Sequence, residues 1–230
     1  GIIVGNLIGE SGVSAINLTT PLLQFMFTIS LIVASGAGIL IGFALGTEDM
    51  KRVRNIYTLS MGGSLVIGLL FTLAGIFYTD TVTGALCQNE ELFVYTKDYL
   101  RNMLLGAPAF MMIWAVSTLI GVDGSPRLAS LALVIDTLVN LCLGFVFMHT
   151  FHWGIAGSSA ATVTGHIVGI LIMCYHFYGK NNHLHFTWKP QAYEWKNIIS
   201  QDAPLSIASI CLTLLLLSAY HIFLSTQREN

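Results

Sequence analysis

Residues 16–45 read INLTTPLLQFMFTISLIVASGAGILIGFAL, with no Asp, Glu, Lys or Arg anywhere in the run. An α-helix needs about 20 predominantly apolar residues to cross a hydrocarbon core about 30 Å thick. This run exceeds that length, and five more follow it at 56–78, 100–122, 128–148, 154–178 and 204–224. Solid apolar runs argue against a spanning β-barrel, whose segments alternate over about 10 residues. The expected fold class is all-α, a polytopic membrane helix bundle.

The rest of the composition agrees. Of 230 residues, 54% are hydrophobic and 10% charged, against about 25% charged in a soluble domain. Mean hydropathy is +0.72. The net charge of -2 comes from 10 basic and 12 acidic residues with no block of one sign, so no nucleic-acid partner is expected. Only Arg101 and Asp136 fall inside the runs. Basic residues resist translocation, and Lys51, Arg52, Arg54, Arg127, Lys180, Lys189 and Lys196 follow the first, third and fifth runs. The other side holds Lys97, Arg101 and Arg228 among the acidic Asp80, Glu90, Glu91 and Asp98. The first set is expected in the cytoplasm, which puts the chain's beginning outside. Residues 1–7 are apolar and too short to span, as the outer end of an earlier helix would be.

Gly38, Gly42 and Gly46, and later Gly165 and Gly169, are spaced four apart, which lets helix backbones approach closely in lipid. Pro21 and Pro108, near outer helix ends, are hinge candidates, since each removes a backbone donor. Cys87, Cys142, Cys174 and Cys211 form no paired framework and read as small hydrophobes. In the connection 179–203, Trp188, Tyr193 and Trp195 interleave with Lys189 and Lys196, a pattern suited to the headgroup region. His183 and His185 read as a solvated pair, and no metal site is expected.

The order of motifs resembles the multidrug and toxic compound extrusion (MATE) transporters. The resemblance rests on Asn17-Leu18-Thr19-Thr20-Pro21-Leu22, Ala44-Leu45-Gly46, Gly124-Ser125-Pro126-Arg127-Leu128-Ala129, Asn140 and the stretch from Gly154 to Thr162. It implies two six-helix lobes. Residues 1–178 would be the N-terminal lobe (the tail of helix 1 and helices 2–6), 179–203 a cytoplasmic interlobe linker, and 204–230 the first helix of a truncated C-terminal lobe. The remainder of the chain's own helix 1 and C-terminal lobe would be its partner. In several prokaryotic members the cation site uses an Asn on helix 5, an Asp four residues later, a Thr on helix 6 and an Asp on helix 1, the helix of which only the tail would be present here. Asn140 and Thr162 match, while Gly144 stands where the acid would be and Gly121 where an Arg often precedes the Gly-x-Pro motif.

A carboxylate within the membrane is costly and by default a functional candidate. Asp136 lies one turn before Asn140 on the same face. It would either take up a proton or join Asn140 and Thr162 around Na⁺, so the ion-coupling candidates are Asp136, Asn140 and Thr162. Gln24, Met26, Met111, Met112 and Trp114 are the substrate-cavity candidates. The expected activity is secondary active efflux of drugs or organic cations in exchange for Na⁺ or H⁺ across a bacterial plasma membrane, with no other cofactor and no catalytic residue. A lipid-linked saccharide flippase, an intramembrane enzyme using His166, His176 or His221, and a passive channel are the alternatives. Of these, the first lacks intramembrane cations beyond Arg101, and the second lacks an H-E-x-x-H or i,i+4 His pair.

Overall fold

The computed structural model describes residues 2–87, 89–179 and 182–201 and the single positions 211, 215 and 218. The expected helix over 204–224 lies outside the described residues apart from those positions. So does His221. Among the described residues the regular structure is helical throughout: α1 (Ile2–Leu7), α2 (Glu10–Gly46), α3 (Met50–Phe77), α4 (Thr79–Leu86), α5 (Glu90–Leu105), α6 (Ala107–Val122), α7 (Pro126–Phe145), α8 (Gly154–Met173) and α9 (Glu194–Gln201). A π-helical turn, Val146–Thr150, extends α7, and a 3₁₀ turn, Cys174–Tyr178, extends α8.

Among the described residues, four helical stretches are long and apolar enough to span, and the bent pair of α5 and α6 counts as a fifth when taken as one span. The chain is a multi-pass membrane protein. Its helix α2 is 37 residues long, two turns longer at its start than the apolar run suggests, because Glu10 suits the positive N-terminal end of a helix. Asp49 caps α3 by accepting from the Arg52 N–H at 3.1 Å. Gly124, at φ 90, makes the left-handed turn that only glycine adopts cheaply, and Pro126 then opens α7.

The run 100–122 departs from expectation. It is not one span but the end of α5 and all of α6, bent by 52° at Gly106. Pro108 supplies no N–H to the carbonyl one turn before it, that of Leu104. The Thr72 hydroxyl, from α3, reaches that carbonyl at 3.1 Å. Gly68 on the same face admits the Pro108 backbone, since a Cβ there would stand 2.6 Å from its Cα. One hinge candidate therefore lies at a true break, with its freed acceptor satisfied by a neighbouring helix. The other, Pro21, is buried inside the continuous α2.

The main core joins α2, α3 and α6 through Ala37, Ile41, Ile56, Tyr57, Ile113 and Leu119. Opposite it, Leu131, Val134, Leu138, Leu141 and Phe145 leave an exposed apolar stripe along α7, the face a lipid-contacting helix shows. Glycines close one helix pair here: Gly38 meets the Thr118 methyl and Gly42 the Val122 side chain, bringing α2 onto α6, while Gly46 faces open space.

Candidate functional site: a polar pair between α7 and α8

The most extensive helix pairing is α7 against α8, and it is antiparallel and close because of two glycines. A Cβ on Gly165 would stand 2.6 Å from Asp136 Oδ1 and 2.8 Å from its carbonyl oxygen; one on Gly169 would stand 3.2 Å from the Asp136 Cβ. The glycine spacing read as packing thus seats the intramembrane carboxylate. Asp136 is 8% exposed and His166, on α8, 9%. His166 Nδ1 lies 3.1 Å from Asp136 Oδ1 and 3.2 Å from Oδ2.

One turn away, the Asn140 Nδ2 amide donates to Thr162 Oγ1 at 3.0 Å, and the Thr162 hydroxyl donates to the Ser158 carbonyl at 3.1 Å. The site is therefore two rungs: Asp136 with His166, and Asn140 with Thr162. The structure places all three ion-coupling candidates on one interface. It pairs two of them with each other and gives the third, Asp136, to a histidine.

An ionised carboxylate only accepts hydrogen bonds, so beside ionised Asp136 the His166 Nδ1 carries the proton. The lone pair is then on Nε2, which is buried and has no hydrogen-bond partner among the described residues. The edge of the same ring meets Phe110, with centroids 5.6 Å apart. The arrangement can hold a negative charge in a low-dielectric interior and can accept a proton at a fixed atom.

The cavity candidates differ in burial. Met26 and Met111 are fully buried, Met26 packing with Leu100, Leu104 and Ala107. Gln24, Met112 and Trp114 are half-buried, and the Trp114 ring stands edge-on to Phe27 at 4.9 Å. Arg101 is exposed at its helix.

At the basic end of the bundle a second carboxylate is fully enclosed. Asp123, after α6, takes His176 Nε2 at 2.8 Å, His183 Nδ1 at 2.8 Å and the His183 backbone N–H at 3.0 Å, while His176 Nδ1 meets the Ser125 hydroxyl at 2.9 Å. His183 and His185 are both exposed, as expected of a solvated pair, and His183 also has a partner. Its ring is held by a buried acid. Beyond it the chain forms a strap across the lobe. The Gln191 backbone pairs with the Asn55 amide, and the Arg52 guanidinium meets Glu194 at 2.9 Å. Burial alone would raise the Glu194 carboxyl. Hydrogen bonds from Asn197 and Arg52 and the Arg52 charge outweigh it and hold it below its ordinary value.

Sequence reasoning named His166 only under the enzyme alternative and missed its pairing with Asp136, and it missed Asp123. A signal for the first was present: Asp136 and Asn140 are four apart, as are Thr162 and His166, and the glycines lie beside the second pair.

The MatE family profile matches residues 1–146, well over half of the chain. The chain belongs to the MatE family. Among curated relatives of this MatE chain, the Multidrug export protein MepA of Staphylococcus haemolyticus is 25% identical over 186 residues, which is 81% of the chain and 41% of the relative. MepA of Staphylococcus saprophyticus is 24% identical over 78% of the chain and 40% of the relative. The chain thus spans about two-fifths of the length of these relatives. Its fold is that of an inward-facing multidrug resistance MATE family transporter of the MOP superfamily, with a TM-score of 0.86 at 21% identity, covering 93% of this chain and 50% of that one. An outward-facing MATE family transporter matches with a TM-score of 0.83 at 21% identity over 94% and 49%.

Proposed function

We propose that the protein to which these residues belong is a secondary active efflux transporter of a bacterial inner membrane, exchanging drugs or organic cations for Na⁺ or H⁺ by alternating access. Residues 1–178 act as its N-terminal lobe, 179–203 as the interlobe linker and 204–230 as the start of the second lobe. The observation that carries this reading is the buried Asp136 carboxylate, held by His166 one turn from the Asn140 and Thr162 pair. A buried negative charge that a cation can neutralise biases a two-state protein toward whichever state binds that cation better. Partnering of Asp136 by a histidine favours the proton over Na⁺, which would need Asp136, Asn140 and Thr162 to converge on one ion. Similarity of the same lobe to both inward- and outward-facing transporters supports a lobe that rocks as a unit.

The test is efflux of an organic cation from proteoliposomes containing the full-length protein, driven by an imposed pH or Na⁺ gradient. Asp136→Asn is expected to abolish gradient-driven efflux; undiminished coupled efflux in that variant rejects Asp136 as the coupling group. The chain of residues 1–230 alone, with nothing to rock against, is expected not to transport.

A further inference from the structure

At the basic end of the bundle, the turn between α2 and α3 and the strap enclose a polar cavity of about 640 Å³. Its floor is fixed. Asn55 pairs with the Gln191 backbone through both its amide groups, and the Arg52 guanidinium lies against Glu194 with both carboxylate oxygens in reach, at 2.9 and 3.4 Å. These bonds leave the Arg52 charge neutralised. The other acid lining the cavity, Asp49, is committed to capping α3. What remains are three cations, Lys51, Arg54 and Lys189, all exposed and none with an acidic partner among the described residues.

Their depth identifies what they meet. The apolar run of α3 begins at residue 56. Arg54 and Lys51 precede it by two and five residues, which at about 1.5 Å per residue is roughly 3 to 8 Å outside the hydrocarbon edge. The headgroup layer on each side of a bilayer occupies roughly the same few ångströms. Beside them on the strap, Trp188 is fully exposed and Tyr193 is 65% exposed, side chains that favour the headgroup layer. A preformed concave surface with three cations free of acidic side-chain contacts, and a net positive charge even with Asp49 counted, at phosphate depth and flanked by interfacial aromatics, has the chemistry of an anionic headgroup site.

We propose that this cavity binds the phosphodiester of an anionic glycerophospholipid of the cytoplasmic leaflet, with Lys51, Arg54 and Lys189 holding the phosphate. The reading takes the basic end as cytoplasmic and is independent of the coupling site. A lipid held there bridges the α2–α3 turn and the strap.

The full-length protein, purified in detergent, is titrated with phosphatidylglycerol or phosphatidylethanolamine, and bound lipid is counted by native mass spectrometry. Phosphatidylglycerol is expected to bind in preference, and added NaCl to release it. The triple variant Lys51→Gln, Arg54→Gln, Lys189→Gln is expected to bind it about a hundredfold more weakly, a few-fold per cation. Arg127→Gln, an exposed cation of the same end outside the cavity, is expected to bind as the parent does. Equal binding of the two lipids by the parent, binding insensitive to salt, or unchanged affinity in the triple variant overturns the proposal. Release of the lipid by millimolar inorganic phosphate also overturns it, by marking a small-anion site. The parent's lipid preference and salt response need no variant, so a misfolded triple variant leaves the test intact.

Discussion

His166 approaches Asp136 through Nδ1, almost equidistant from the two carboxylate oxygens at 3.1 and 3.2 Å, so that one ring nitrogen is spent on the acid and the other is left without a partner among the described residues. Removing the histidine alone strands a buried carboxylate, at a cost of ~3–5 kcal/mol. His166→Leu is therefore expected to lower thermal stability sharply. Adding Asp136→Asn to it should recover much of that loss without restoring coupled transport. Thermal unfolding of the single and double variants in detergent, alongside proteoliposome efflux, measures both effects. Additive destabilisation counts against the pair.

Two glycines of the same interface have opposite expectations. A methyl at Gly165 meets Asp136 Oδ1 at 2.6 Å and its carbonyl at 2.8 Å, so Gly165→Ala should separate α7 from α8 and destabilise by ~1–3 kcal/mol. At Gly144, the nearest atoms are 3.8 Å away, and Gly144→Ala should stabilise by ~0.5–1 kcal/mol through lost backbone entropy. Paired melting temperatures moving in the same direction would contradict this reading.

The bend at Gly106 depends on a hydroxyl from another helix. Thr72→Val keeps the shape of the side chain but removes the hydroxyl that reaches the Leu104 and Gly68 carbonyls, both at 3.1 Å, at a cost of ~1 kcal/mol. Thr72→Ser, which retains the hydroxyl, should cost much less. Comparison of their unfolding temperatures separates the hydrogen bond from the methyl packing.

The strap should respond to acid. Because the Glu194 carboxyl is held below its ordinary value, its contribution is complete above the unfolded-state pKa of about 4.3 and is lost as pH falls below it. At residues 191–198 the protection factor, the intrinsic exchange rate divided by the observed rate at the same pH, is expected to be high at pH 6 and to fall below about pH 4. In Glu194→Gln the acid-dependent step should disappear.

The spans were legible because lipid imposes a simple rule on length and polarity, and 16–45, 56–78, 128–148 and 154–178 all read correctly as helix. The bend within 100–122 was hidden, since Pro108 looks the same whether it opens a helix or breaks one; the distinction lies with Thr72 and Gly68 on α3. Asp136 stood out as a lone charge in an apolar run. Its partner did not, because which face of α8 meets it depends on how closely two backbones pack, and His166 lies 30 residues away. Met26 and Met111 show the limit from the other side. A flexible apolar side chain suits a binding cavity and a packed core equally, and here both are buried in the core.

The three hydrogen bonds on Asp123 tie the end of α6, the end of α8 and the strap to one carboxylate, with Ser125 adding the start of α7. Mechanically, this is a common anchorage. The same contacts connect the strap to α7 and α8, the helices that carry Asp136 and His166. If a cation is taken up between α7 and α8 as proposed, thermodynamic reciprocity requires that whatever work its binding performs on the strap, a pull on the strap performs on its affinity.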